Sequence, residues 1–291
     1  RPLQAAQRHN THTHQLSMLA LAFAAVASSP KLSLSGPALK RDDAARRTLA
    51  LRGGAKVSDI ARYAGTGLML ADGIGRYAYP HKVVAKSLGA DTSDVPAVIA
   101  ARSEGQWRIG LAIMLLADAS DARALIALSH YICVVNLLGD IPGNDALDAP
   151  QAPIIVLVAV FGALGFGTAR GVVPNWLSPF SGLLNGLQFY LTPKRAWAAY
   201  GADGKGVSDL ALAKTRRIGW DLLLRGIYLG SIIAGVARKD AFGYVFAATA
   251  VNGILNILSG ETKHNFERTP RSQVSLLVLI AALIAASSLW C

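Results

Sequence analysis

Residues 152–169 read APIIVLVAVFGALGFGTA, and residues 273–290 read QVSLLVLIAALIAASSLW; each runs eighteen positions without a charge. A helix rises about 1.5 Å per residue, so some 17 to 25 apolar residues cross the hydrocarbon of a bilayer. Both stretches reach that lower bound, and Trp290 stands where an interfacial anchor belongs. They decide the class: an all-α, polytopic membrane protein.

The whole chain agrees. Hydrophobic residues make up 52% of the 291 and charged residues 16%, against about 25% charged in soluble domains. Mean hydropathy is +0.36. Disorder and collagen are excluded by this composition, and two cysteines cannot build a disulfide framework.

Working outward, residues 122–138, 173–191, 218–236 and 241–258 are also long and apolar, with isolated polar positions. Residues 63–79 and 107–117 are weaker, the first containing Asp72 and Arg76. About eight spans are expected, or seven or six if a weak stretch lies in the interface.

An internal repeat orders them. Pro80-His81-Lys82 follows the first stretch and Pro193-Lys194-Arg195 the fifth. Gly89-Ala90-Asp91 and Gly201-Ala202-Asp203 come next, then Glu104-x-x-x-Arg108 and Asp221-x-x-x-Arg225. Asp121 and Asp240 each open a further apolar run, which carries Asn136 in one half and Asn256 in the other. Shared order over 20 to 50 or more residues marks duplicated units. The expected layout is a leader over 1–62, a four-helix unit over 63–170 and a second over 173–291. An even number of spans gives both units one orientation, a parallel repeat. Loops after the odd-numbered spans hold most of the remaining Lys and Arg, which puts them on the cytoplasmic-equivalent side. The loop after the third span, with Asp140, Asp145 and Asp148 and no base, runs against that.

The net charge of +11 concentrates at the start, where residues 1–63 carry ten Lys/Arg and three acids. Nucleic-acid binding thereby loses its support. Met18 begins an apolar run, MLALAFAAVA, ending in Ala25-Val26-Ala27, a small-x-small step before Ser28. That run suits a signal core and is too short to span. Residues 28–57 are rich in Ser, Ala, Leu, Lys and Arg, with Asp42 and Asp43 as the acids, as transit peptides are. Signal then transit resembles the two-part leader of plastid proteins in algae with secondary plastids; mitochondrial or secretory targeting is the competing reading.

The candidate chemistry is intramembrane. Asp72 and Arg76, Glu104 and Arg108, and Asp221 and Arg225 each stand four apart on one helical face. Each acid can neutralise its own arginine there, or the pairs can form a substrate or proton site. His130 is the one histidine well inside a span; a bundle hydrogen bond accounts for it better than pigment or haem ligation, and no cofactor or metal is expected. Asn136 and Asn256 fit interhelical hydrogen bonds. No zinc spacing, Walker motif or readable triad occurs.

The order from Pro80 through Arg102-x-Glu104-x-x-x-Arg108-x-Gly110-x-Ala112-x-x-x-Leu116, Asp121-x-Arg123-Ala124-Leu125 and Leu138-x-Asp140 resembles the DoxX-like four-span membrane proteins. A fainter version runs from Pro193 to Glu261. The resemblance implies a left-handed four-helix membrane bundle, here in tandem, and no defined activity. The expected function is a structural, assembly or accessory component of an organellar, plastid membrane, with the bilayer and a larger membrane complex as partners. The alternative is a small-solute or ion transporter with its site between the repeats.

Overall fold

The computed structural model describes residues 57–86, 93–117, 121–199, 207–258 and 271–290. The expected leader lies almost wholly outside them. The described residues are helical, with no strand among them.

Helix α1 (Val57–Ala78) is followed by the short α2 (Pro80–Lys86), then α3 (Val95–Leu116), α4 (Ala122–Ala146) and α5 (Ala152–Ala169). Helix α6 (Leu177–Leu191) is followed by the short α7 (Pro193–Ala199), then α8 (Asp209–Ile233), α9 (Arg238–Leu258) and α10 (Arg271–Trp290). The two Pro-basic motifs thus begin the two short helices, where a missing N–H costs nothing. Local chemistry sets the other starts. Asp94 accepts from the Ala97 N–H, Asp121 from the Arg123 N–H and Ser208 from the Ala211 N–H, each satisfying a donor the first turn leaves open.

Helices α4, α5 and α9 are long and apolar enough to cross a membrane, and residues 275–290 of α10 form a shorter apolar helix. The remaining expected spans do not qualify, for two reasons. Helix α6 is only 15 residues long, about 22 Å. Helices α1, α3 and α8 have the length, at 22, 22 and 25 residues, but carry charges within it.

Helices α3 and α8 sit at the centre. They pack on one another, α3 also on α1 and α4, and α8 also on α6 and α9. Helix α5 packs on α4, and α10 on α9 and α1. The main core joins Leu111, Met114 and Leu115 of α3 to Leu224, Tyr228 and Leu229 of α8, with Phe242 and Phe246 of α9 against them. Outward faces stay apolar: Ile155, Val156, Val160 and Phe166 of α5 and Leu276, Leu277, Leu279 and Leu283 of α10 are all exposed. Such continuous apolar surface needs lipid or a partner.

Two crossings bring backbones into contact. A Cβ on Gly105 would meet the Tyr77 nitrogen at 2.5 Å and the Gly73 carbonyl at 2.6 Å. One on Gly219 would meet the Tyr190 nitrogen at 2.6 Å and the Gly186 carbonyl at 2.7 Å. Only glycine permits either approach.

Candidate functional site

The expected loop after the fifth span is in part helix. Lys214, Arg216 and Arg217 fall between the expected spans 173–191 and 218–236, but they lie in the first turns of α8 behind its Ser208 cap. The loop charges that set the expected orientation are fewer by these three, and the charged site gains Lys214 and Arg217.

Glu104 on α3 is fully buried. Its carboxylate faces Arg76 Nη1 at 3.2 Å, Arg108 Nη2 at 3.3 Å, Arg217 Nη1 at 3.3 Å and Lys214 Nζ at 3.7 Å. Asp72 takes Arg76 Nε at 2.8 Å and pairs also with Arg108. Asp221 on α8 lies 3.4 Å from Arg108 Nε. One network therefore spans α1, α3 and α8, from Asp72, whose side chain is 43% exposed, to the buried Glu104, Lys214 and Asp221.

Two of the three expected pairs are made within their helices, Asp72–Arg76 and Glu104–Arg108. The third is not. Asp221 pairs across to Arg108, while Arg225 donates to the Cys133 sulfur and to the Ser178 hydroxyl. The physical reason is competition: Arg108 already stands between two carboxylates and offers Asp221 a partner one helix away. Arg225, with buried α4 and α6 beside it, takes the polar atoms those helices present.

In this network, four cations (Arg76, Arg108, Lys214, Arg217) meet three carboxylates (Asp72, Glu104, Asp221) among the described residues. Lys214 is the odd member: it is fully buried and its ammonium makes no hydrogen bond. It lies ahead of the apolar stretch 218–236. The site thus contains a buried carboxylate ringed by four cations and a buried lysine whose ammonium makes no hydrogen bond.

The other expected residues lie apart. His130 is fully buried on α4, with neither ring nitrogen hydrogen-bonded and its ring 6.0 Å from that of Phe161. The Arg225 guanidinium bears on it. A hydrogen-bonded bundle histidine is therefore not what the structure holds. Among the described residues no three His, Cys, Asp or Glu side chains group as metal ligands. Asn136 is buried, its backbone carbonyl accepting from Gln106 Nε2 at 2.8 Å. Asn256 is half-buried on α9.

Compared with family profiles, curated proteins and solved structures, the chain matches none.

Proposed function

We propose that the chain is a polytopic membrane carrier that moves a small solute coupled to a proton, with Lys214 as the proton-carrying group. One observation carries this: Lys214 is fully buried 3.7 Å from the Glu104 carboxylate, and its ammonium makes no hydrogen bond. Buried ion networks rarely stabilise a fold better than apolar packing would, and ionisable groups at membrane depth mark function. Loss of the Lys214 proton lowers the charge of the network by one. A carrier needs such a switch.

The reading includes a tandem duplication in which α1, α3 and α8 cross the membrane with the apolar helices, their charges neutralised in the centre. The two glycine crossings support it, since Gly186 follows Gly73 by 113 positions and Gly219 follows Gly105 by 114. Matched packing supports it too: α1 on α3 and α6 on α8, α4 on α5 and α9 on α10. In that alignment Glu104 corresponds to Ile218 and not to Asp221, so the charged site is a single one at the junction of two halves. The DoxX-like resemblance belongs to the same proposal, as does a plastid address.

Proteoliposomes holding an internal pH-sensitive dye test it. Chloride, acetate, glycine, glycerol and choline gradients are imposed in turn. Proton movement with any one, absent in Lys214→Met, supports the carrier. No movement with all five from folded protein overturns it.

The accessory-component reading keeps one observation in its favour, the broad exposed apolar faces of α5 and α10. Co-migration with a large membrane complex in gentle detergent, together with absent flux, would establish it.

A further inference from the structure

Beside the charged network lies a cleft of about 70 Å³ with a different character. Water-sized occupants need about 10–15 Å³ each on this measure, so it has room for one small organic molecule. Its walls come from α3, α4, α6, α7 and α8, and its lining includes Ser103, Trp107, Asp140, Asn144, Phe189 and Trp197.

Three features define what it would hold. Its lining has one carboxylate, Asp140, and no Lys or Arg. Arg102, outside the lining, bears on the Asp140 carboxyl electrostatically, while its guanidinium stacks over the Tyr77 ring at 5.0 Å and bonds the Tyr77 hydroxyl. Ser103 faces the Asp140 carboxyl from α3.

Second, three aromatic side chains share the lining, and one is locked. The Trp197 indole N–H donates to Thr215 Oγ1 at 2.8 Å, and that hydroxyl donates to the Ala211 carbonyl at 2.8 Å. With its N–H committed, Trp197 offers the cleft carbon surface. Third, the Asn144 amide nitrogen gives one of its two N–H donors to the Pro150 carbonyl at 3.4 Å, and its oxygen can accept from a ligand. Carboxylate, acceptor oxygen and aromatic surface with no base in the lining are the elements of ammonium recognition, since ring quadrupoles attract cations and reject anions.

We propose that this cleft binds a small organic cation, an ammonium bearing up to a few methyl groups, seated on Asp140 and the rings of Trp107, Trp197 and Phe189. Its standing as the transported solute rests on the carrier reading above; its standing as a binding site does not. Position gives the coupling: Ser103 and Trp107 adjoin Glu104 and Arg108 along α3, and Thr215 adjoins Lys214 along α8. A protonated Lys214 opposes a cation in the next layer, and a deprotonated one admits it. The two therefore exchange.

The test is equilibrium binding to the full chain in detergent, read by tryptophan fluorescence. Choline is the probe, and 3,3-dimethyl-1-butanol is its neutral isostere. Saturable choline binding is expected, at least tenfold tighter than the isostere, and weakened at least tenfold by Asp140→Asn. Trp197→Leu, which keeps the carboxylate, should weaken choline more than methylammonium. Equal affinity for choline and the isostere, or choline binding unchanged in Asp140→Asn, overturns the site, as does no saturable binding to folded wild-type protein. Choline binding with no proton movement for any solute keeps the site and overturns the carrier. Proton movement with acetate alone, and no choline binding, does the reverse.

Discussion

Lys214 and Glu104 carry the most specific expectations. Lys214→Met removes a fully buried ammonium that makes no hydrogen bond, and apolar packing often replaces a buried charge without loss. Its melting temperature in detergent should match or exceed that of the wild type, and a large loss would make the lysine a structural member of the network. Glu104 is the opposite case. Glu104→Gln leaves the buried Lys214 and three half-buried arginines facing two carboxylates, and removing one partner of a buried ion pair costs about 3–5 kcal/mol. Denaturant unfolding of that variant, beside Asp72→Asn at the half-exposed rim, should show the larger loss at Glu104.

These residues were only partly legible. Spacing of four identifies Asp72–Arg76 and Glu104–Arg108 because helix geometry is local. It misassigns Asp221 and Arg225, whose partners come from other helices, and no periodicity encodes a partner a hundred residues away. Lys214, Arg217, Asp221 and Arg225 do recur at steps of three and four, one helical face. That signal was present, but the apolar stretch starting at 218 hid it by placing the helix start too late.

At the element scale, the glycine crossings are testable. Gly105→Val and Gly219→Val put a side chain into backbone held within 2.6 Å of the added Cβ. Overpacking costs about 1–3 kcal/mol where side chains can shift, and more where backbone must. Gly162→Ala, with nothing within 4 Å of the added carbon, should be neutral or slightly stabilising. Melting temperatures in one detergent compare all three. Equal effects would mean the crossings are looser than described. Helix identity was legible from apolar runs, and starts from Asp121 and the two Pro-basic steps. The C-terminal reach of α4 was not: it continues past Leu138 through Pro142 to Ala146, bringing Asp140 and Asn144 from an expected loop into the cleft wall.

At the scale of the molecule, low charge and eighteen-residue apolar stretches made the membrane class legible, because hydrocarbon thickness fixes helix length. The number of crossings is the harder quantity. A charged helix lacks a long uninterrupted apolar stretch whether it lies at the surface or pairs its charges inside a bundle, and among the described residues α4, α5 and α9 are long and apolar enough to cross. Membranes carrying the chain should retain it after alkaline carbonate extraction. Single cysteines introduced at Leu68 on α1 and Leu187 on α6, both exposed apolar positions, should resist a water-soluble maleimide until detergent is added. Ready labelling in intact membranes would remove α1 and α6 from the bilayer.

The central claim is that a buried lysine without a hydrogen bond exchanges a proton as solute moves. Its most direct measurement is internal pH in proteoliposomes on imposing a choline gradient, wild type beside Lys214→Met reconstituted at equal density. The account predicts proton movement opposite to choline in the wild type and none above empty liposomes in the variant. Equal proton movement in both proteins would contradict it.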